Sequence, residues 1–284
     1  MTIHKAQQLA LLQLKIIYDE REAANITDWV LEHTTAKKRI DRLLDKHAIL
    51  SAAQQDRIET ILQELATHKP IQYVLGEAWF NGMKFFVNEH VLIPRPETEE
   101  LVEWACEEIN NSELTIKNVL DIGTGSGCIP VAIKKKIPQI NITSIDISSE
   151  ALLVAQKNAG NLQANIALVQ VDFLNESNWS SLPVLDLIIS NPPYIKQSER
   201  PKMAKNVLDF EPSIALFVKD DDALIFYRKI ALFGKTHLSK GGQIFLEINE
   251  TLGKEVVALY ESNGYNIELR KDMQGRDRMA KTNL

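Results

Sequence analysis

Apolar positions recur along this chain with two different periods. Over residues 1–69 the spacing is helical throughout. Leu9, Leu12 and Ile16 fall on one face of a first predicted helix, Trp29, Val30 and Leu31 lie in a second segment, and Ile40, Leu43 and Leu44 mark a short third one. The clearest helix spans 52–67, where Ile58, Ile61, Leu62 and Leu65 stand at i, i+3, i+4 and i+7. Ser51 with Gln54 forms a capping-box start for it, and Pro70 supplies the stop. The pattern changes over 71–90, where Asn81-Gly82 separates two aromatic-rich runs. Both residues tolerate positive φ, so the spacing predicts a β-hairpin linking two domains. From residue 98 onward, strands and helices alternate. Strands are expected at 118–122, 142–147, 167–171, 185–190, 242–248, 265–269 and 278–282, and helices at 98–110, 127–136, 149–160, 222–239 and 252–262. Such βαβ alternation implies an α/β fold with a parallel sheet wrapped by helices, holding its ligand at the carboxyl ends of the strands.

Composition narrows the class. The 284 residues are 45% hydrophobic and 25% charged, the balance of a globular protein with a real core. Net charge is −6, and residues 1–75 carry ten basic and ten acidic side chains, so the negative excess lies wholly in the second part. A duplex-binding protein usually shows a basic excess, because phosphate neutralisation supplies most non-specific affinity. Cys106 and Cys128 form no CxxC pair, which excludes a cysteine-based zinc site and a disulfide scaffold. His4, His33, His47 and His68 have no metal-ligand spacing and read as surface residues. The apolar run from Leu9 to Ile17 is interrupted by Gln13 and Lys15, so it is neither a membrane span nor a secretory signal, and a cytoplasmic protein is expected.

The first predicted strand runs through Asp121 into Gly123-Thr124-Gly125-Ser126-Gly127 and straight into a helix. Glycines there let the backbone turn tightly and let a ligand approach its amides. The spacing is GxGxG, whereas a dinucleotide loop has GxGxxG. It resembles motif I of S-adenosylmethionine-dependent methyltransferases. Asp146 closes the second strand, 23 residues after Gly123, where a carboxylate can accept both ribose hydroxyls. Asp172 and Phe173 close the third strand, suited to an adenine amino group and to stacking on its ring.

The fourth strand ends in Asn191-Pro192-Pro193-Tyr194. In the methyltransferase sheet this strand lies beside the first, so Asn191 would face a ligand held by the glycine loop. An amide or aromatic-amine nitrogen is a poor nucleophile because its lone pair is conjugated. A site that methylates one must accept hydrogen bonds from its N–H groups and aim the lone pair at the methyl. Asn191 supplies a side-chain carbonyl, Pro192 a carbonyl in a stiff peptide without an N–H, and Tyr194 a flat face over the acceptor. The benefit should be positioning, with nitrogen and methyl held at roughly 3–3.5 Å. Two acceptor classes present such a planar –NH₂: nucleobase exocyclic amines and glutamine amides.

Several further motifs together resemble the PrmC/HemK family of release factor glutamine methyltransferases. In order they are Gln72-Tyr73 with Gly76, the run Val91-Leu92-Ile93-Pro94-Arg95-Pro96-Glu97-Thr98-Glu99, DIGTGSG at 121–127, NPPYI at 191–195, Glu211-Pro212 with Ala215-Leu216, and Gly275-Arg276 with Arg278. The resemblance covers residues 70–284 closely. It implies a class I methyltransferase fold with a mostly parallel seven-stranded sheet, divided as a helical substrate-docking domain at 1–70, a hairpin linker at 71–90 and a catalytic domain at 91–284. It implies transfer of a methyl group from S-adenosyl-L-methionine, without a metal, to the glutamine of the Gly-Gly-Gln motif in class I peptide-chain release factors, leaving S-adenosyl-L-homocysteine. On matching positions, Gly123, Thr124, Gly125, Ser126, Gly127, Asp146 and Phe173 would bind the donor, and Asn191 would touch donor and glutamine. Pro192, Pro193 and Tyr194 would hold the glutamine. Arg95 and Glu97 would line the entrance, although Pro96 and Glu97 equally suit the first turn of a helix. The chain departs from the family at Asn249, at Asp222-Ala223 and at Phe173, where members carry glycine, Asp-Gly and in some cases tryptophan. An adenine-N6 nucleic-acid methyltransferase is the alternative, but it would need a basic groove and a region to stabilise a flipped base. The protein is expected to be monomeric, with no direct nucleic-acid partner and no membrane association.

Overall fold

A computed structural model describes residues 1–111 and 116–284. The chain forms two compact units. The first comprises Met1–Glu77 together with Ala204–Phe210. Its helices are α1 (Ile3–Leu14), α2 (Glu20–Thr35), α3 (Arg39–Leu44), α4 (Ala52–Leu65) and α5 (Ile71–Leu75), with a later helix α9 (Lys205–Phe210). α4 forms as its pattern predicts. The Ser51 hydroxyl accepts from the Gln54 N–H, and the Gln54 side chain accepts from the Ser51 N–H, which closes the capping box. Ile58, Ile61 and Leu65 are buried, each contributing roughly 1.5–3 kcal/mol by burial.

α1 differs from its expected orientation. Its buried face is Ile3, Ala6, Ala10 and Leu14, while Leu12 is 67% and Ile16 84% exposed. Small alanines at the contact let two helices approach closely, and the bulkier leucines are turned outward. In α3, too, the apolar Ile40, Leu43 and Leu44 are exposed, and the buried residue is Arg42. Its guanidinium donates to Asp28 at 2.7 Å and to the Lys37 carbonyl at 2.6 Å, so the buried charge is paired.

The second unit comprises Ala78–Met203 and Glu211–Leu284. It opens with the hairpin β1 (Ala78–Phe80) and β2 (Met83–Phe85), turned by Asn81 at φ 48° and Gly82 at φ 69°. The hairpin is shorter than the 71–90 segment in which it was expected, and residues 71–75 ahead of it are helical. There follow α6 (Pro96–Asn111), β3 (Asn118–Ile122), α7 (Cys128–Lys136), β4 (Asn141–Asp146), α8 (Ser149–Asn161), β5 (Ala167–Gln170) and β6 (Leu185–Ser190). A segment of short elements comes next, including β7 (Ile195–Lys196), α10 (Ser213–Leu216) and β8 (Phe217–Val218). The unit ends with α11 (Ile225–His237), β9 (Leu238–Glu247), α12 (Gly253–Ser262), β10 (Asn266–Lys271) and β11 (Asp277–Asn283).

The central sheet has the order β10-β11-β9-β6-β3-β4-β5. Pairings from β9 to β5 are parallel, and β11 runs antiparallel between β9 and β10. Successive residues of the central strands enter opposite cores. Val119, Leu187 and Phe245 pack with α6 and α7 on one face, whereas Leu120, Ile188, Ile244 and Leu246 pack with α11 and α12 on the other. β3 and β6 are neighbours, with Ile122 opposite Ser190. The Ser190 hydroxyl donates to the Ile122 carbonyl at 2.7 Å, which ties together the two strand ends that launch the glycine loop and the Asn-Pro-Pro-Tyr segment. No helix among the described residues is long and apolar enough to cross a membrane.

Candidate active site

One cavity opens above the carboxyl ends of β3, β4, β5 and β6, where a ligand site of an open α/β sheet is expected. Gly123, Thr124, Gly125, Ser126, Asp146, Asp172, Phe173, Asn191, Pro192, Pro193 and Arg95 all line it. Gly127, Glu97 and Tyr194 do not. Gly127 ends the loop under α8, Glu97 stands in the first turn of α6, and the Tyr194 ring packs against the core with its hydroxyl turned to Glu247.

The three glycines of the loop have different reasons to be glycine. All adopt positive φ, at 78° for Gly123, 53° for Gly125 and 77° for Gly127. A Cβ at Gly123 or Gly125 would meet no atom within 4 Å, so the loop keeps an open face toward the cavity. A Cβ at Gly127 would lie 3.2 Å from the Ala155 Cα, so there the glycine lets α8 pack against the loop. Asp146 braces the turn by accepting from the Gly125 N–H at 2.9 Å and from the Ser148 N–H at 3.0 Å. Burial raises its carboxyl above the ordinary range, opposed by those backbone donors. Each carboxylate oxygen keeps a second lone pair for a ligand hydroxyl. Phe173 packs in an aromatic cluster with Trp179, tilted, and Phe233, edge-on, at ring centroids 5.5 and 5.4 Å.

Asp121, beneath the loop, is fully buried, and burial pushes its carboxyl up to about 7. The hydroxyls of Thr124 and Ser144 lower it only in part, and neither carboxylate oxygen has a hydrogen-bond partner of regular geometry. The folded pKa lies above that of the unfolded chain, so between about pH 4 and 7 the native state holds the extra proton and stability falls as pH rises. Asp121→Asn is therefore expected to flatten this slope and to raise stability at pH 8 by a few kcal/mol relative to pH 4. Urea unfolding of both proteins at the two pH values checks this, and parallel slopes would refute it.

Sequence reasoning assigned no role to three residues that complete the site. Glu211, with its side chain buried, accepts from the Arg95 guanidinium at 2.6 Å and from the Ile93 N–H at 3.3 Å, so the Ile93–Arg95 segment is pinned to the Glu211-Pro212 turn. Thr98, in the first turn of α6, and Glu247, at the end of β9, are 2% and 1% exposed. Thr98 donates to Glu247 at 2.6 Å, Asn191 donates its side-chain N–H to Thr98 at 3.0 Å, and Tyr194 donates to Glu247 at 3.0 Å. Burial pushes the Glu247 carboxyl up, and the two hydroxyl donors and Arg278 pull it back. Asn249 also supports the segment, its amide donating to the Tyr194 carbonyl at 3.3 Å. The available signal was a lone glutamate closing an otherwise apolar strand, Ile244-Phe245-Leu246-Glu247.

Comparison with known proteins agrees with this architecture. Residues 106–210 match the methyltransferase small domain, and residues 5–76 match the PrmC N-terminal domain. A release factor glutamine methyltransferase of Flavobacterium psychrophilum is 44% identical over 95% of this chain and 95% of its own length. The chain belongs to the release factor glutamine methyltransferase family. A second member of that family, from Bacteroides thetaiotaomicron, is 38% identical over 95% of this chain and 96% of its own. The fold extends beyond the family. A methyltransferase structure from Pyrococcus furiosus, 18% identical, superposes with a TM-score of 0.51 over 82% of this chain and 98% of that one. Within the family frame, the glycine loop and the Asn-Pro-Pro-Tyr segment sit on adjacent strands of one methyltransferase sheet.

Proposed function

We propose that this protein transfers a methyl group from S-adenosyl-L-methionine to the side-chain amide nitrogen of the Gly-Gly-Gln glutamine in class I peptide-chain release factors, acting in the cytoplasm. The observation that carries the reading is the side-chain amide of Asn191. It lines the cavity beside the glycine loop with its N–H end engaged by Thr98, so its carbonyl is the end left for an acceptor –NH₂. The donor fits the residues present. Gly123 and Gly125 leave open the room a Cβ would fill, while Asp146, Asp172 and Phe173 stand where ribose and adenine would be held. When bound, the donor supplies an electrophilic sulfonium methyl.

The chain's own residues then act by positioning. The Asn191 side-chain carbonyl and the Pro192 main-chain carbonyl accept from the two N–H groups of the glutamine amide, which turns its face, and with it the nitrogen lone pair, toward the glycine loop. Pro193 lines the cavity and walls the acceptor pocket, and Tyr194, tied to Glu247, holds the segment rigid. Arg95, which lines the cavity and is clamped by Glu211, would guard its entrance. The domain division supports a further role for the first unit. Its Leu12, Ile16 and Leu44 are exposed, apolar side chains available to a docking protein substrate.

A labelled-methyl assay tests the reading with three acceptors in parallel: a class I release factor, its Gly-Gly-Ala variant and adenine-containing DNA. Label is expected in the first alone. Label in the DNA, or equal label in the Gly-Gly-Ala variant, would overturn it.

A further inference from the structure

We infer that Thr98 and Glu247 are positioning residues for methyl transfer, fixing which end of the Asn191 amide is offered to the acceptor. This rests on the glutamine reading of the site but can be tested apart from it. An asparagine amide can turn over, exchanging a donor for an acceptor at nearly the same place. In this cavity the two orientations are chemically opposite, since only the carbonyl can accept from an acceptor –NH₂.

The selection begins at Glu247, which lies between Leu246 and Ile248 at the end of a buried strand. Its Oε2 receives the Thr98 hydroxyl at 2.6 Å and its Oε1 the Tyr194 hydroxyl at 3.0 Å. The shorter distance is that of a charge-assisted O–H···O⁻ bond. A carboxylate only accepts, so both hydroxyls must point their protons at it. Thr98 Oγ1 has then used its one proton and can only accept from its other neighbour, the Asn191 side chain at 3.0 Å. The N–H end satisfies it. The carbonyl end would set two acceptors against each other. One carboxylate thus sets the Asn191 amide through Thr98 and holds Tyr194 directly, fixing both ends of the Asn-Pro-Pro-Tyr segment.

The experiment uses the full chain and four variants. Thr98→Val removes the hydroxyl at constant shape, Thr98→Ser keeps it, Glu247→Gln offers a donor where only an acceptor stood, and the fourth combines Thr98→Val with Glu247→Gln. With a release factor as acceptor, Thr98→Val and Glu247→Gln are each expected to lower kcat about 10- to 100-fold, leaving donor Kd and release-factor KM within about threefold. Thr98→Ser should stay within about threefold of the parent, and the double variant should be no worse than the poorer single one. A Thr98→Ser as impaired as Thr98→Val would mean that packing matters and the hydroxyl does not, which ends the proposal.

A second readout needs neither donor nor acceptor. Hydrogen exchange of the Asn191 side-chain amide, its resonance assigned by Asn191→Ala, should quicken at least tenfold in Thr98→Val. Unchanged exchange there would overturn the relay. Absence of release-factor methylation by the unaltered protein would count against the glutamine reading alone, because this measurement still decides the relay.

Discussion

Replacing Asn191 by alanine is expected to lower methyl transfer to a release factor by about 10²–10³-fold, the scale seen when one preorganised hydrogen-bonding group is removed from a site. The loss should fall on kcat. Donor affinity should change by no more than about tenfold, because the glycine loop and Asp146 remain in place. The reason is geometric. Asn191 follows directly on β6, whose Ser190 is tied to the end of β3, so its carbonyl is held at a set position beside the loop. Truncation leaves the backbone path intact but takes away the hydrogen-bond acceptor proposed for the glutamine amide. Single-turnover transfer with the donor saturating separates the two quantities. Transfer within tenfold of the parent rate would remove Asn191 from the mechanism.

The second large effect concerns the glycine loop, where two substitutions of the same chemistry should fail differently. Gly127→Ala is expected to cost about 2–5 kcal/mol of stability, by adding left-handed strain of about 1–2 kcal/mol to an overlap of about 1–3 kcal/mol. The overlap is with backbone, since the new Cβ would lie 3.2 Å from the Ala155 Cα, and α8 cannot yield without moving. Gly125→Ala carries the strain without the overlap and should cost only about 1–2 kcal/mol. Its methyl group would instead enter space that the cavity keeps open, so donor affinity should fall about tenfold or more. Denaturant unfolding with donor titration on both variants checks the contrast. Equal losses of stability would show that the loop packs otherwise than described.

The parts of the fold that a reader of the sequence could foresee are those carried by local pattern. β3 and β6 were expected at the residues where they occur, because strands buried on both faces read as short continuous apolar runs bounded by loop signals. The glycine loop and Asn191 were legible for the same reason, each being a compact motif at a strand end. The sequence of α1 carries two candidate faces. Hydrophobicity favours Leu9, Leu12 and Ile16, but close packing chose Ala6 and Ala10. The region 195–222 gave no pattern, since β7 and β8 have two residues each and are too short for any period to register. Thr98 and Glu247 escaped notice as a pair because nothing local relates residues separated by 149 positions. Only the packing of α6 against β9, which itself pairs beside β6, brings them together.

That separation bears on the order in which the protein can become active during synthesis. A chain that has left the ribosome through Asn191 already carries Gly123–Gly127, Asp146, Asp172, Phe173 and Asn191, the residues proposed for the donor. It lacks Glu247, so Thr98 remains free to turn its proton toward either neighbour and the Asn191 amide is unset. The late strand β9 brings the carboxylate that completes the amide's orientation. The residues proposed to hold the methyl donor are therefore synthesised before the one proposed to set the amide.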